Sequence, residues 1–130
     1  MSDTAILIEG LYFGEGPRWH ADRLWFSDFY AHAVKSVDES GDVRIELELD
    51  DQPSGLGWLP DGRLLVVAMK ERAVKRLDPS GLVLHADISE LTVHLCNDMV
   101  VDADGSAWVG NFGFNLDADL KARGGEVFSD

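Results

Sequence analysis

Apolar and polar positions along this chain fall into short runs separated by turn residues, and no long amphipathic helical spacing appears. Leu64-Leu65-Val66-Val67 is the clearest run, made of residue types that suit a buried strand. Pro60-Asp61-Gly62 just before it predicts a turn, since Pro presets φ and Gly accepts a positive one. Ala73 to Leu77 alternates small or apolar side chains with basic ones, as a half-exposed strand does. Asp78-Pro79-Ser80-Gly81 is again turn chemistry, and Leu82-Val83-Leu84-His85 follows as an outer strand. An earlier stretch has the same plan in Leu24-Trp25-Phe26, Val34 to Val37 and Val43 to Leu49. The best helical segment is Asp117 to Ala122, with Asp117 as its N-cap.

The pattern repeats. Ala33-Val34-Lys35-Ser36-Val37-Asp38-Glu39-Ser40-Gly41 recurs 40 residues later as Ala73-Val74-Lys75-Arg76-Leu77-Asp78-Pro79-Ser80-Gly81. Gly16-Pro17-Arg18-Trp19-His20-Ala21-Asp22 corresponds to Gly55-Leu56-Gly57-Trp58-Leu59-Pro60-Asp61, and Asp98-Met99-Val100-Val101-Asp102-Ala103-Asp104-Gly105 is a third copy. A unit of four antiparallel strands at a period near 40 residues is the signature of a propeller blade. The expected fold is therefore all-β: about three blades of a β-propeller in a single incomplete domain spanning residues 1–130. Blade one is expected at about 14–49, blade two at about 53–87, and an unfinished blade three at about 96–130. Ala5-Ile6-Leu7-Ile8 has no partner in blade one, so residues 4–9 are expected to be a strand that latches a closed ring. A ring needs more blades than these, so the sequence is expected to be truncated.

Composition narrows the function classes. With 130 residues and 45% hydrophobic positions, the chain suits one globular domain. A formal net charge of −13 argues against nucleic acid and anionic membrane surfaces as partners, and leans toward a cationic ligand. No stretch is long and apolar enough to span a bilayer, and the N-terminus lacks the features of a signal peptide. The single cysteine, Cys96, fits a reducing compartment, so a cytoplasmic location is expected. Uncovered blade faces would permit self-association.

Rotational symmetry of blades brings equivalent inner-strand positions to one radius. Four residues before Trp19, Trp58 and Val101 stand Glu15, Ser54 and Asn97. A carboxylate, a hydroxyl and a carboxamide are then expected at the mouth of one channel, and such oxygen donors suit Ca²⁺, Mg²⁺ or Mn²⁺. The bland alternative is that Glu15 and Asn97-Asp98 are ordinary turn residues. Cys96 reads as a small buried residue rather than a nucleophile, with no His–Asp partners evident. His94 reads as a loop residue, Asp102-Ala103-Asp104-Gly105 as a hairpin turn, and Arg18, Trp25 and Phe26 as packing and surface residues of blade one.

Gly14-Glu15-Gly16-Pro17-Arg18-Trp19 resembles the opening of the SMP-30/gluconolactonase/luciferin-regenerating-enzyme (LRE)-like family. Cys96-Asn97-Asp98, followed by Val101-Asp102-Ala103-Asp104-Gly105 and Trp108-Val109-Gly110-Asn111, looks like that family's third-blade motif. The resemblance covers nearly the whole chain and about half of the family's domain. It implies a six-bladed propeller and a hydrolase that opens lactones with one divalent cation in its tunnel. That cation is expected to be Ca²⁺ first, with Zn²⁺, Mn²⁺ or Mg²⁺ as alternatives. By position, Glu15 would be a metal ligand, and Asn97 would bind substrate or a metal-bound water. The other ligands and the catalytic base would come from later blades. Where sugar-lactone members carry an Arg two residues before the Asn, this chain has Leu95. Where they carry a Glu after the third blade's second strand, it has Asn115, which would be a further substrate contact. Both changes suggest a lactone or ester less polar than a gluconolactone. The alternatives are a non-hydrolytic propeller of the strictosidine-synthase-like kind and a calcium-binding or protein-interaction propeller.

Overall fold

The computed structural model of the chain describes residues 4–113 and the short strand Phe128–Ser129. The first sheet is built from β1 (Gly14–His20), β2 (Arg23–Asp28), β3 (Ala33–Val37) and β4 (Val43–Glu48), hydrogen-bonded in chain order. β5 (Pro53–Trp58), β6 (Leu64–Ala68), β7 (Ala73–Asp78) and β8 (Gly81–Asp87) repeat that order in the second. The third sheet holds β9 (Cys96–Val101), β10 (Ala107–Asn111) and β11 (Phe128–Ser129). Every pairing is antiparallel, so each sheet is an up-and-down blade. The helix expected at 117–122 lies outside the described residues. Residues 4–9, where a latching strand is expected, are in no strand here. No helix among the described residues is long and apolar enough to cross a membrane.

The blades stack face to face, and the core lies in the two seams. Between the first and second, buried Val34, Leu56, Leu64 and Val66 gather Trp25, Leu47 and Trp58 around them. Between the second and third, Leu65, Val67, Met69, Cys96 and Met99 do the same. This sandwiching explains the unbroken apolar run at 64–68. Strand β6 is buried along its whole length because neighbours cover both its faces.

Inner strands β5 and β9 approach especially closely, and two glycines make this possible. A Cβ on Gly55 would stand 2.4 Å from the Met99 nitrogen, and one on Gly57 would stand 2.4 Å from Val101 Cγ2. Where the inner strands open, each carries a β-bulge. Glu15 and Arg18 face Ser27 and Trp25, so β1 uses one residue more than β2. Pro53 to Leu56 does the same against β6, and Cys96 to Met99 against β10. Such bulges re-aim side chains and are favoured beside functional sites.

Candidate functional site at the mouth of the inner strands

The bulges place three polar side chains together. Ser54 and Asn97 sit within theirs, and Glu15 is the last paired residue before its own. Ser54 Oγ lies 2.9 Å from Glu15 Oε2 and 2.9 Å from Asn97 Oδ1, so one hydroxyl joins the three blades. Ser54 is fully buried, and its carbonyl accepts a 2.6 Å hydrogen bond from Ser27 Oγ in β2. The residues singled out by spacing thus meet at one point rather than pointing to different faces.

A second polar pair adjoins them. Arg18 Nη2 reaches from the first blade to the third, donating to Asp98 Oδ1 at 3.0 Å and to the Met99 carbonyl at 2.8 Å. Read from sequence as a packing and surface residue of blade one, Arg18 is instead a tie between blades. Its only sequence signal is a place three residues along the strand from Glu15. Asp98 is close enough for its charge to act on Glu15.

Electrostatics single out Glu15. Burial raises the pKa of its carboxyl, the hydrogen bond from Ser54 works against that rise, and the Asp98 charge adds to it. Among the described residues no lysine or arginine forms an ion pair with Glu15, whereas the buried Asp28 is paired with Lys35 at 2.9 Å. A half-buried acid of this kind beside a hydroxyl and a carboxamide is chemically suited to a hard cation. The set is partial, since such ions take about six oxygens or more. Among the described residues no three His, Cys, Asp or Glu side chains gather as a ligand group.

Other candidates resolve as structure. Cys96 is fully buried, and burial pushes its thiol up to about 11, which removes the thiolate a nucleophile needs. It borders an apolar hollow of about 170 Å³ with Ile88, Leu91 and Val109, which none of Glu15, Ser54 or Asn97 lines. Asp102 accepts from the backbone of Asp104 and Ser106, and is therefore the closure of a turn. His94 closes a small turn with Thr92. Trp25 packs in the first seam, as expected, and Phe26 is buried. Leu95 packs against the core of the second seam. Asn115 lies outside the described residues.

Successive antiparallel blades whose inner strands open on a shared polar mouth define a β-propeller. The model of the SMP-30/Gluconolactonase/LRE-like region matches residues 13–129, and the chain belongs to that family. A gluconolactonase from Xanthomonas campestris is similar at 25% identity with a TM-score of 0.71, over 95% of this chain and 45% of that one. The calcium-binding protein regucalcin from Agrobacterium tumefaciens shares 22% identity with a TM-score of 0.69, over 95% of this chain and 42% of that one. Virginiamycin B lyase from Staphylococcus aureus shares 15% identity with a TM-score of 0.60, over 90% and 40% respectively, and so shares the fold alone. This chain spans less than half the length of each.

Proposed function

We propose that the chain supplies the cation-anchoring part of a hydrolase that opens a lactone or related ester with one divalent metal ion. The observation that carries this reading is the junction of Glu15, Ser54 and Asn97 from three blades at 2.9 Å contacts, in a chain of this family. Glu15 supplies the anionic oxygen, and calcium is the first choice of ion for a hard-oxygen set. A bound cation would polarise the ester carbonyl and make water more acidic. Asn97 orients the carbonyl oxygen or the attacking water through its carboxamide. Leu95 and Asn115 stand where sugar-lactone members carry an Arg and a Glu, and the loss of those two groups favours a substrate less polar than a sugar lactone.

One carboxylate cannot complete such a site, so in this reading the remaining ligands and the base come from blades beyond these three. These three blades would then be inactive alone. The lone buried thiol suits a reducing cytoplasm.

The test uses the form carrying the full ring. Calorimetric titration of Ca²⁺, Mn²⁺ and Zn²⁺ is run beside a lactone-opening assay. Glu15→Gln keeps the shape but removes the charge, and both cation binding and turnover should fall together. Asn97→Ala should retain most of the cation affinity while turnover drops by about 10²-fold, as for loss of one transition-state donor. Full binding and full turnover in Glu15→Gln would sink the assignment.

A further inference from the structure

Ser54 has two polar neighbours and one hydrogen. Its Oγ is 2.9 Å from a Glu15 carboxyl oxygen and 2.9 Å from the Asn97 carboxamide oxygen, in a place where Ser54 itself is fully buried. A hydroxyl donates once and accepts through its lone pairs, whereas an ionised carboxylate only accepts. If Ser54 gives its hydrogen to Glu15, the contact with Asn97 is satisfied only when Asn97 donates. A half-turn of the carboxamide achieves this, because it exchanges Oδ1 and Nδ2 within nearly the same volume. Without it, two oxygen lone pairs would face each other in a buried site, which costs more than an exposed mismatch.

We propose that Ser54 is the positioning residue of the mouth: it donates to Glu15, accepts from Asn97 Nδ2, and so turns the Asn97 carboxamide oxygen away from itself and toward the channel. Ser54 is well held for this task, since Ser27 Oγ fixes its carbonyl at 2.6 Å. The chain of hydrogen bonds then runs from the third blade through the second to the first. One Glu15 oxygen and the Asn97 carbonyl oxygen are then left without a bond to Ser54, and both remain available to a cation or to its water. The direction of the chain rests on the reading of Glu15 as an ionised cation ligand. The positioning itself needs only the three side chains.

The experiment is solution NMR of the ¹⁵N-labelled chain, read at the Asn97 side-chain amide with and without Ca²⁺. The expected result is a nuclear Overhauser contact from an Asn97 Hδ2 proton to the Ser54 β protons, with exchange of that proton slowed by about two- to tenfold, the range of one net hydrogen bond. In Ser54→Ala the slowing should vanish while the backbone spectrum stays dispersed, and Ser54→Thr, which keeps the hydroxyl, should retain it. An Asn97 amide lacking the contact, or one whose exchange is indifferent to Ser54→Ala, overturns the proposal. If the variants lose their fold, the contact in the natural chain decides alone. Absence of any Ca²⁺-induced shift at the mouth in the form carrying the full ring, with the contact present, would count against the cation reading and leave the positioning role standing.

Discussion

Glu15 is the residue where the fold works against its own stability. Burial, opposed by the Ser54 hydrogen bond and reinforced by Asp98, raises its pKa above the ordinary carboxylate range. The folded chain therefore holds this proton more tightly than the unfolded chain does. The contribution to stability is fully present below the unfolded value and is lost as pH rises through the raised folded value. Without divalent cations, Glu15→Gln should melt at a higher temperature than the natural chain at pH 7, with the gap closing as pH falls toward 4. Thermal melts with a chelator present test this, and a natural chain at least as stable at pH 7 would contradict it. A second residue-scale strain sits at the other end of β1. Ala21 and Asp22 form a two-residue hairpin loop with φ of 51° and 62°, a conformation that favours Asn-Gly. The double change Ala21→Asn, Asp22→Gly should stabilise the chain by about 1 kcal/mol in a denaturant titration, since non-glycine residues are strained there.

At the scale of elements, the site depends on how closely two inner strands lie. The Cβ of Gly55→Ala would meet the Met99 nitrogen at 2.4 Å and the Asp98 carbonyl carbon at 2.7 Å, both backbone atoms that cannot step aside alone. The strands must then part, at a cost of about 1–3 kcal/mol. Because β5 carries Ser54 and β9 carries Asn97, the same change should loosen the mouth. Chemical denaturation should show the loss of stability, and the Ser54–Asn97 contact should disappear from the spectrum with it. Retention of both would mean the strands have slack that the structure does not show. The strands themselves were legible in sequence, because alternation and turn chemistry recur in each repeat. The bulges were not, since one extra residue breaks a two-residue period too briefly to see. Glycines at 16 and 55 mark two of them, but Asn97-Asp98 stand in the third. Arg18 was hidden for a related reason: its partner lies 80 positions away, on the third blade.

At the scale of the whole molecule, a period near 40 residues carried the fold class, and blade symmetry carried the meeting of Glu15, Ser54 and Asn97. The charge of −13 said little about where a cation would bind, because acids are spread over the surface. A rival location exists in the cleft of about 240 Å³ that includes Glu48, Asp50, Asp51 and Glu71. There Asp51 already accepts from the backbone of Gln52, Lys70 and Glu71, and Lys75 pairs with Glu71 at 2.6 Å. Asp51 and Glu71 are thus occupied, whereas Glu15 has no such cation beside it among the described residues. Paramagnetic broadening separates the two places even when binding is weak. Traces of Mn²⁺ added to the ¹⁵N-labelled chain should erase the backbone signals around Glu15, Ser54 and Asn97 together, and Glu15→Gln should abolish that pattern. Broadening that begins at Glu48, Asp50 and Glu71 and spares the mouth would contradict the account.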